Sequence, residues 1–401
     1  MRIGVLTSGF DPCKLEAVNR SVFEINLRLK RGGHEVFIIT NTGEFLYEIE
    51  GIKIYGLPKK SSFGFGFFYN ARNIIRKLNT DLCHFYGSLS GAILFSHFFR
   101  DFERSVIASI YDNPLNIRDL SDLRMSDLRW DPLRTLNAIL NLALPPYLIK
   151  SHLEKLDKII LLGEDRRFDL EFWLDKIAIV PHGVDFHRFA KCNLQLVKDL
   201  KSNIGFCNDV KVVLYYGHCY PSRGIEDLVM SFRIINKEMR NARLLLVVTP
   251  SSYLEYIRKI IKKHDLSNCT TIITQWINNP EHYFWLSDIV VVPYRFKTFV
   301  RIPFVLLEAM AAGRPVVVTD IANGCFLVEH MVSGLVVKRG RKKDLASAIL
   351  SFLRDETFSI RCGLNAQQRV QPLDWDKVSI KVLKIYSEEL EKGNAKSQKF
   401  I

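Results

Sequence analysis

The stretch that says most about the fold is residues 303–317, which read PFVLLEAMAAGRPVV. Its first proline suits the first turn of a helix, and Gly313 suits the position just past a helix end. The apolar residues from Pro315 to Thr319 then predict a buried strand. A short helix that leads directly into a buried strand is typical of a parallel α/β fold.

The same helix carries a candidate binding site. The N–H groups of its first turn have no partner within the helix and lie at the positive end of the helix dipole, so they suit a diphosphate. Glu308 lies about one turn further on, and its two carboxylate oxygens suit the two hydroxyls of a ribose. A buried helix with an incidental glutamate is the alternative, and this stretch alone leaves both open.

Strands and helices alternate outward from this stretch through most of the 401 residues. The predicted strands are 3–6, 36–40, 82–86, 105–110, 158–162, 178–180, 211–216, 243–248, 271–274, 289–292 and 315–319. The pattern restarts after a polar helical stretch, which marks a domain boundary. We therefore predict two Rossmann-like α/β domains, an N-terminal one over 1–190 and a second one over 191–370. Residues 371–401 are predicted to form a C-terminal helix that packs back on the N-terminal domain and ends in a frayed tail.

Composition narrows the class of protein. The formal charge is +13, and most of it lies in the second half, which favours an anionic ligand without identifying it. The apolar runs are too short to cross a bilayer, and the start lacks the features of a signal peptide, so we expect a cytoplasmic protein. The eight cysteines form no C-x-x-C pair, so neither a zinc site nor a disulfide framework is predicted.

Several segments together resemble glycosyltransferase family 4. The run LLEAMAAGRPVV resembles the donor-binding signature of that family, and four other features follow its order: VPHGVD at 180–185, LYYGHCYPSRG at 214–224, LSDIVVVP at 286–293, and Trp375. The resemblance covers nearly the whole chain and is strongest over 178–340. It implies the GT-B architecture, in which two Rossmann-like domains face each other across a cleft. It also implies a retaining reaction with a nucleotide-diphosphate sugar and no bound metal or other cofactor.

The resemblance also implies roles for individual residues. Arg223 takes the place of the basic ligand to the donor diphosphate, where the family more often has lysine, and with Glu308 it is a candidate catalytic residue. A solvated surface arginine is the alternative. The other candidate donor-binding residues are Gly217, His218, Trp276, Ile277, Val300, Pro303, Phe304 and Val305. Gly217 would admit the phosphates, His218 stands where the family often has a second basic residue, and Trp276 with Ile277 would line the base pocket.

Besides His218, the positions of Val300 and Tyr111 depart from the family pattern. Val300 stands where the first glutamate of an E-x7-E pair is expected, so a ligand to the sugar is missing. Either nearby Arg295, Lys297 or Arg301 contacts the sugar instead, which favours an acidic one, or the sugar is less tightly fixed and turnover is slow. In the N-terminal domain, Tyr111-Asp112 replaces a histidine-aspartate pair, and Asp112 also suits a simple turn. Gly9, Tyr111 and Asp112 are the candidate acceptor-side residues.

A second predicted surface is residues 59–77, where a Phe/Gly run precedes Arg72, Arg76 and Lys77. Such a segment suits a peripheral contact with the inner face of the cell membrane, and a solvated basic helix is the alternative. The acceptor is expected to be a glycan or a lipid-linked molecule, and no nucleic-acid partner is expected. Two rival functions stay open, a catalytically weakened nucleotide-sugar-binding protein and a nucleotide-sugar epimerase. A nicotinamide dehydrogenase is disfavoured because no G-x-G-x-x-G follows the first strand.

Overall fold

The structure is a computed structural model. It describes residues 1–11, 18–43, 45–58, 65–111, 144–163, 176–207, 209–295, 302–322 and 327–398. The described residues form two compact units: the first contains 1–111, 144–183 and 375–398, and the second contains 184–374. The chain therefore passes from unit 1 to unit 2 after Gly183 and returns to unit 1 at Trp375.

Unit 1 is an eight-stranded sheet with helices on its faces. Its strands are β1 (Arg2–Thr7), β2 (Glu35–Thr40), β3 (Phe45–Ile49), β4 (Ile52–Gly56), β5 (Leu82–Gly87), β6 (Ser105–Ile110), β7 (Lys158–Leu161) and β8 (Ile177–Ile179). The order is β3-β4-β2-β1-β5-β6-β7-β8, and every neighbouring pair is parallel except β3 with β4. This antiparallel pair was not predicted.

Helices pack against that sheet through apolar side chains. The helices of unit 1 are α1 (Val18–Arg31), α2 (Phe65–Leu78), α3 (Leu89–Phe98), α4 (Pro146–Leu153) and the C-terminal α13 (Trp375–Gln398). Phe67, Phe95 and Leu153 bring α2, α3 and α4 into one apolar core. On α13, Val378, Val382 and Tyr386 are buried.

Unit 2 is a six-stranded, wholly parallel sheet. Its strands are β9 (Lys211–His218), β10 (Ala242–Thr249), β11 (Thr270–Ile273), β12 (Ile289–Val292), β13 (Val316–Thr319) and β14 (Leu335–Val337). Its helices are α5 (Phe186–Ala190), α6 (Leu194–Asn203), α7 (Ile225–Glu238), α8 (Ser252–Lys263), α9 (Glu281–Leu286), α10 (Phe304–Ala311), α11 (Lys342–Arg354) and α12 (Glu356–Val370). The sheet order is β11-β10-β9-β12-β13-β14. Two parallel-sheet α/β units confirm the predicted fold class.

A buried polar network lies beside β5 and β6 in unit 1. His84 Nδ1 lies 2.5 Å from the Tyr386 hydroxyl and His84 Nε2 lies 2.8 Å from Ser109 Oγ. His182 Nδ1 lies 2.7 Å from Ser21 Oγ of α1. Burial lowers the pKa of both histidines to about 3, so both rings are neutral in the folded protein at neutral pH.

These two histidines make stability depend on pH. In an unfolded chain a histidine has a pKa of about 6.5, so it takes up a proton as the pH falls while the buried ring does not. The stabilisation is therefore complete above about pH 6.5 and declines below it. We expect the free energy of unfolding to fall between pH 7 and pH 5 by about 2 kcal/mol more in the wild type than in His182→Asn, because one such group is then missing. Urea unfolding at the two pH values measures this, and equal losses in both proteins would contradict it.

Candidate functional site

The site is built at the carboxyl end of the parallel sheet of unit 2. From β9 the chain continues to β10 and β11 on one side, and it then returns to place β12 on the other side of β9. Neighbouring strands whose connections leave in opposite directions create a switch point, where open parallel sheets bind their ligands. The loops that follow β9 and β12 therefore border the expected ligand position.

These two loops are in close contact. Gly224, which ends a 3-10 turn over Pro221–Arg223, has a φ of +70°, and a Cβ atom there would lie 1.8 Å from the carbonyl oxygen of Pro293. The N–H of Arg295 donates a hydrogen bond of 2.9 Å to the carbonyl of Ser222. Only glycine fits at position 224, and the approach that it permits sets Arg223 against the loop after β12.

Arg223 packs on an aromatic residue of that second loop. Its side chain is only 8% exposed, and its guanidinium carbon lies 4.4 Å from the ring centre of Tyr294. Burial raises the pKa of the Tyr294 hydroxyl, the charge of Arg223 and its hydrogen bond to that hydroxyl oppose the rise, and the Glu308 carboxylate adds to it. The Tyr294 hydroxyl thus interacts electrostatically with both Arg223 and Glu308. The sequence did not single it out as a site residue.

Glu308 lies on α10, which begins as predicted just after Pro303. The carboxylate side chain is 4% exposed, and Pro303 makes no side-chain cap. The first turn of α10 contains Phe304, Val305 and Leu306, and the N–H of Leu306 donates to the Pro303 carbonyl at 3.0 Å. Glu308 and Arg223 share Tyr294 as a neighbour, because both act electrostatically on its hydroxyl.

Gly217 and His218 end β9 beside the same loop. Gly217 has a φ of +143°, and among the described residues Tyr215 alone has atoms within 4 Å of a Cβ placed there. The Tyr215 hydroxyl donates to the carbonyl of His218 at 2.7 Å. His218 Nδ1 lies 3.0 Å from the hydroxyl of Thr249 at the end of β10. These contacts orient the loop without requiring a charged imidazole.

Trp276 and Ile277 follow β11 on the other side of β10. Trp276 is 62% exposed, whereas Ile277 packs partly against the apolar core of unit 2. Arg188 of α5 holds their loop by donating to the carbonyl of Asn278 at 2.8 Å and pairing with the buried Glu281 at 3.0 Å. Arg188 and Glu281 were not recognised from the sequence, because their relation depends on a contact across 93 positions of the chain.

Arg295 is paired with a carboxylate within the protein. Its Nε lies 3.2 Å from Oδ2 of Asp227, a buried carboxylate in the first turn of α7, and Lys342 lies 3.7 Å from the other oxygen. The case for an acidic sugar rested on three cations, and one of them is thus already paired. Lys297, Arg301 and Val300 lie outside the described residues.

The candidate acceptor-side residues lie in unit 1. Gly9 has a φ of +73° after β1, and its N–H donates to the Asn41 side chain at 2.8 Å. Tyr111 follows β6, is 5% exposed, and its ring centre lies 5.1 Å from that of His182. Burial raises the pKa of Tyr111 well above its usual value. Asp112 lies outside the described residues.

Within the described part of the chain, no group of three or more His, Cys, Asp or Glu side chains is placed to hold a metal ion. Among the described side chains, Arg223 and Arg295 bring positive charge to the loops that follow β9 and β12, and Arg295 is paired with Asp227. The expectation that no metal takes part stays a prediction.

Comparison with known proteins gives a family match over part of unit 2. Residues 210–355 match the family described as Glycosyl transferases group 1, and this range includes Arg223, Tyr294 and Glu308. The chain is 25% identical over 227 residues to a capsular polysaccharide biosynthesis glycosyltransferase of Staphylococcus aureus, covering 56% of this chain and 53% of that protein. It is 23% identical over 360 residues to an uncharacterized glycosyltransferase of Methanocaldococcus jannaschii, covering 88% and 90%. The chain spans about half the length of the first two curated relatives that it matches.

Solved structures extend the likeness to the whole chain. A sucrose-phosphate synthase from Thermosynechococcus elongatus matches with a TM-score of 0.77 at 19% identity, covering 97% of this chain and 99% of that one. An Anabaena protein crystallised with UDP matches with a TM-score of 0.73 at 15% identity, covering 97% and 100%. At these identities the structures show the fold. The chain therefore has the GT-B fold, its residues 210–355 match a group 1 glycosyl transferase domain, and together these findings support a glycosyltransferase.

Proposed function

We propose that this chain transfers a sugar from a nucleoside-diphosphate sugar to a glycan or a lipid-linked acceptor, with retention of anomeric configuration. The observation that carries the proposal is the grouping of Arg223, Tyr294 and Glu308 at the switch point of unit 2, within the matched domain. A buried arginine next to a glycine-lined loop suits a diphosphate, because its planar fork of donors engages phosphate oxygens in pairs.

In this proposal each group has a defined task. Arg223 and the N–H groups that begin α10 stabilise the negative charge that develops on the departing diphosphate, and Glu308 holds the ribose. Gly217 lets the backbone approach the phosphates, His218 orients that loop, and Trp276 with Ile277 lies against the base. The positive charge comes from fixed protein groups, so the proposed reaction needs no metal and is an example of electrostatic preorganisation.

The donor and the acceptor are proposed only as classes. Because the chain resembles a protein crystallised with UDP, uridine is the first nucleoside to test in the donor. Likeness to a capsular polysaccharide enzyme favours a glycan, and a lipid-linked acceptor would agree with the predicted contact of residues 59–77 with a membrane. An epimerase is not favoured, because the relatives above are named as glycosyltransferases.

The test is a transfer assay with the purified chain, a panel of nucleotide sugars, and either oligosaccharides or extracted lipids as acceptors. Release of nucleoside diphosphate that depends on the acceptor is the expected result, and NMR of the product should show the anomeric configuration of the donor. Conversion of the donor without acceptor would favour the epimerase instead. An inverted product would contradict the retaining mechanism and leave transfer intact.

A further inference from the structure

Three neighbouring helices of unit 1 form a face without acidic residues. These helices, α2, α3 and α4, contain no aspartate or glutamate, and we call their outer surface the acid-free face. Arg76 and Lys77 end α2, and Lys150 lies in the last turn of α4. Glu154 follows α4 directly, and Asp101 beyond α3 is paired with Arg100 at 3.3 Å. The charge of the face itself is therefore wholly positive.

The same face carries an unusual share of exposed aromatic side chains. In the described part of the chain five aromatic residues are exposed, and three of these lie on α2 and α4: Phe65 at 53%, Tyr69 at 60% and Tyr147 at 74%. On α2, positions 65, 69, 72 and 76 follow one another at helical spacing, so two aromatic and two basic side chains form one stripe. The opposite stripe of α2 is buried in the core.

Ring contacts join the three helices into one continuous surface. The Phe65 ring of α2 meets Phe98 of α3 at 5.9 Å, and His97 of α3 meets His152 of α4 at 5.9 Å. Residues that are about 80 positions apart in sequence are thus brought onto one face. No reading of residues 59–77 alone could have included Tyr147 or Lys150.

We propose that the acid-free face binds the surface of an anionic phospholipid bilayer. Tyrosine and phenylalanine suit the headgroup region because one part of the side chain is apolar while the tyrosine hydroxyl stays hydrated. Lysine and arginine next to them are attracted by the negative surface potential of anionic lipids. Exposed aromatic side chains next to cations on the outer surface of helices fit a flat interface better than a nucleic-acid strand, which calls for a groove lined by cations.

The contact is peripheral. No helix in the described part of the chain is long and apolar enough to cross a membrane. A few aromatic side chains and a few cations give reversible binding that high salt weakens, because the charges are exposed. The inference rests on the proposed function and deepens it, because it places a lipid-linked acceptor at such a surface. Lipid binding is measured without any substrate, so its result is independent of whether the chain transfers a sugar.

The experiment is co-sedimentation of the full chain with vesicles of phosphatidylcholine alone and of phosphatidylcholine mixed with phosphatidylglycerol. We expect binding to the mixed vesicles, little binding to the neutral ones, and release by high salt. Replacing Arg76 and Lys77 by glutamine should lower the partition coefficient about fivefold for each charge removed. Replacing Tyr69 and Tyr147 by serine should reduce binding to both kinds of vesicle, because apolar contact is lost.

Matched controls separate this face from general effects. Lys262 and Lys263 form the same pair of exposed cations in the last turn of α8 in unit 2, and Ile360 with Leu364 is an equally exposed apolar pair on α12. Glutamine at the first pair and serine at the second should leave vesicle binding unchanged, while circular dichroism confirms that all variants fold. The proposal is overturned if the wild type binds no vesicle, or if the control variants lose as much binding as the test variants. It is also overturned if a single-stranded oligonucleotide binds through Arg76 and Lys77 while vesicles do not.

Discussion

Arg223→Ala is expected to lower turnover at saturating donor by at least about a hundredfold, which is the scale of losing one group that stabilises charge in the transition state. The guanidinium of Arg223 packs on the ring of Tyr294, and its backbone is fixed by the turn that ends at Gly224. The guanidinium is therefore preorganised. Turnover is the quantity to measure, because the charge on the diphosphate grows as the sugar bond breaks.

Two further variants sharpen this result. Arg223→Lys keeps the charge and loses the planar fork, so we expect activity between those of the wild type and the alanine variant. Arg258→Ala removes an exposed arginine from α8 of the same unit and should leave turnover unchanged. Near-normal turnover in a folded Arg223→Ala protein would exclude the role of this residue in the departure of the diphosphate.

Glu308→Gln is expected to weaken the binding of the nucleoside diphosphate by between about tenfold and a hundredfold, because hydrogen bonds from ribose hydroxyls to a charged acceptor are lost. Glutamine conserves the volume of a side chain that is 4% exposed, so the core of α10 is preserved. Calorimetry with the sugar-free nucleotide isolates this contact from any contact with the sugar.

The control for this substitution is Asp344→Asn, which makes the same change from acid to amide on the exposed side of α11. Its affinity for the nucleotide should equal that of the wild type. If Glu308→Gln bound the nucleotide as tightly as the wild type, Glu308 would be a buried structural carboxylate, the alternative left open by the sequence.

The periodicity of the sequence predicted most strands of both units, because fully buried parallel strands read as uninterrupted apolar runs. The hairpin of β3 and β4 was not predicted because it contains no continuous buried run: Phe45–Ile49 has no buried residue, and the buried residues of Ile52–Gly56 are separated by exposed or half-buried ones. The short strand β14, Leu335–Val337, has only three residues and gives too weak a signal.

The site residues that could be predicted lie in local sequence motifs, and those that could not depend on contacts between distant residues. Arg223 and Glu308 lie in local motifs, so their positions at the end of a 3-10 turn and on a short helix followed from neighbouring residues. Tyr294 lies 71 positions beyond Arg223, and the two meet only because β12 pairs with β9. In unit 1, His84 of β5 meets Tyr386 of α13 across 302 positions because the helix packs on the sheet. Such contacts depend on strand order and on helix packing, which no local pattern encodes.

The central claim, that unit 2 binds a nucleotide-sugar donor through Arg223 and Glu308, is tested most directly by thermal unfolding of the full chain with a panel of nucleoside diphosphates and their sugars. A ligand at about 100 times its dissociation constant should add about 2.7 kcal/mol of stability. We expect one base to stabilise the wild type clearly and to stabilise Glu308→Gln far less at the same concentration. Stabilisation by no member of the panel, or equal stabilisation of wild type, Arg223→Ala and Glu308→Gln, would contradict the account.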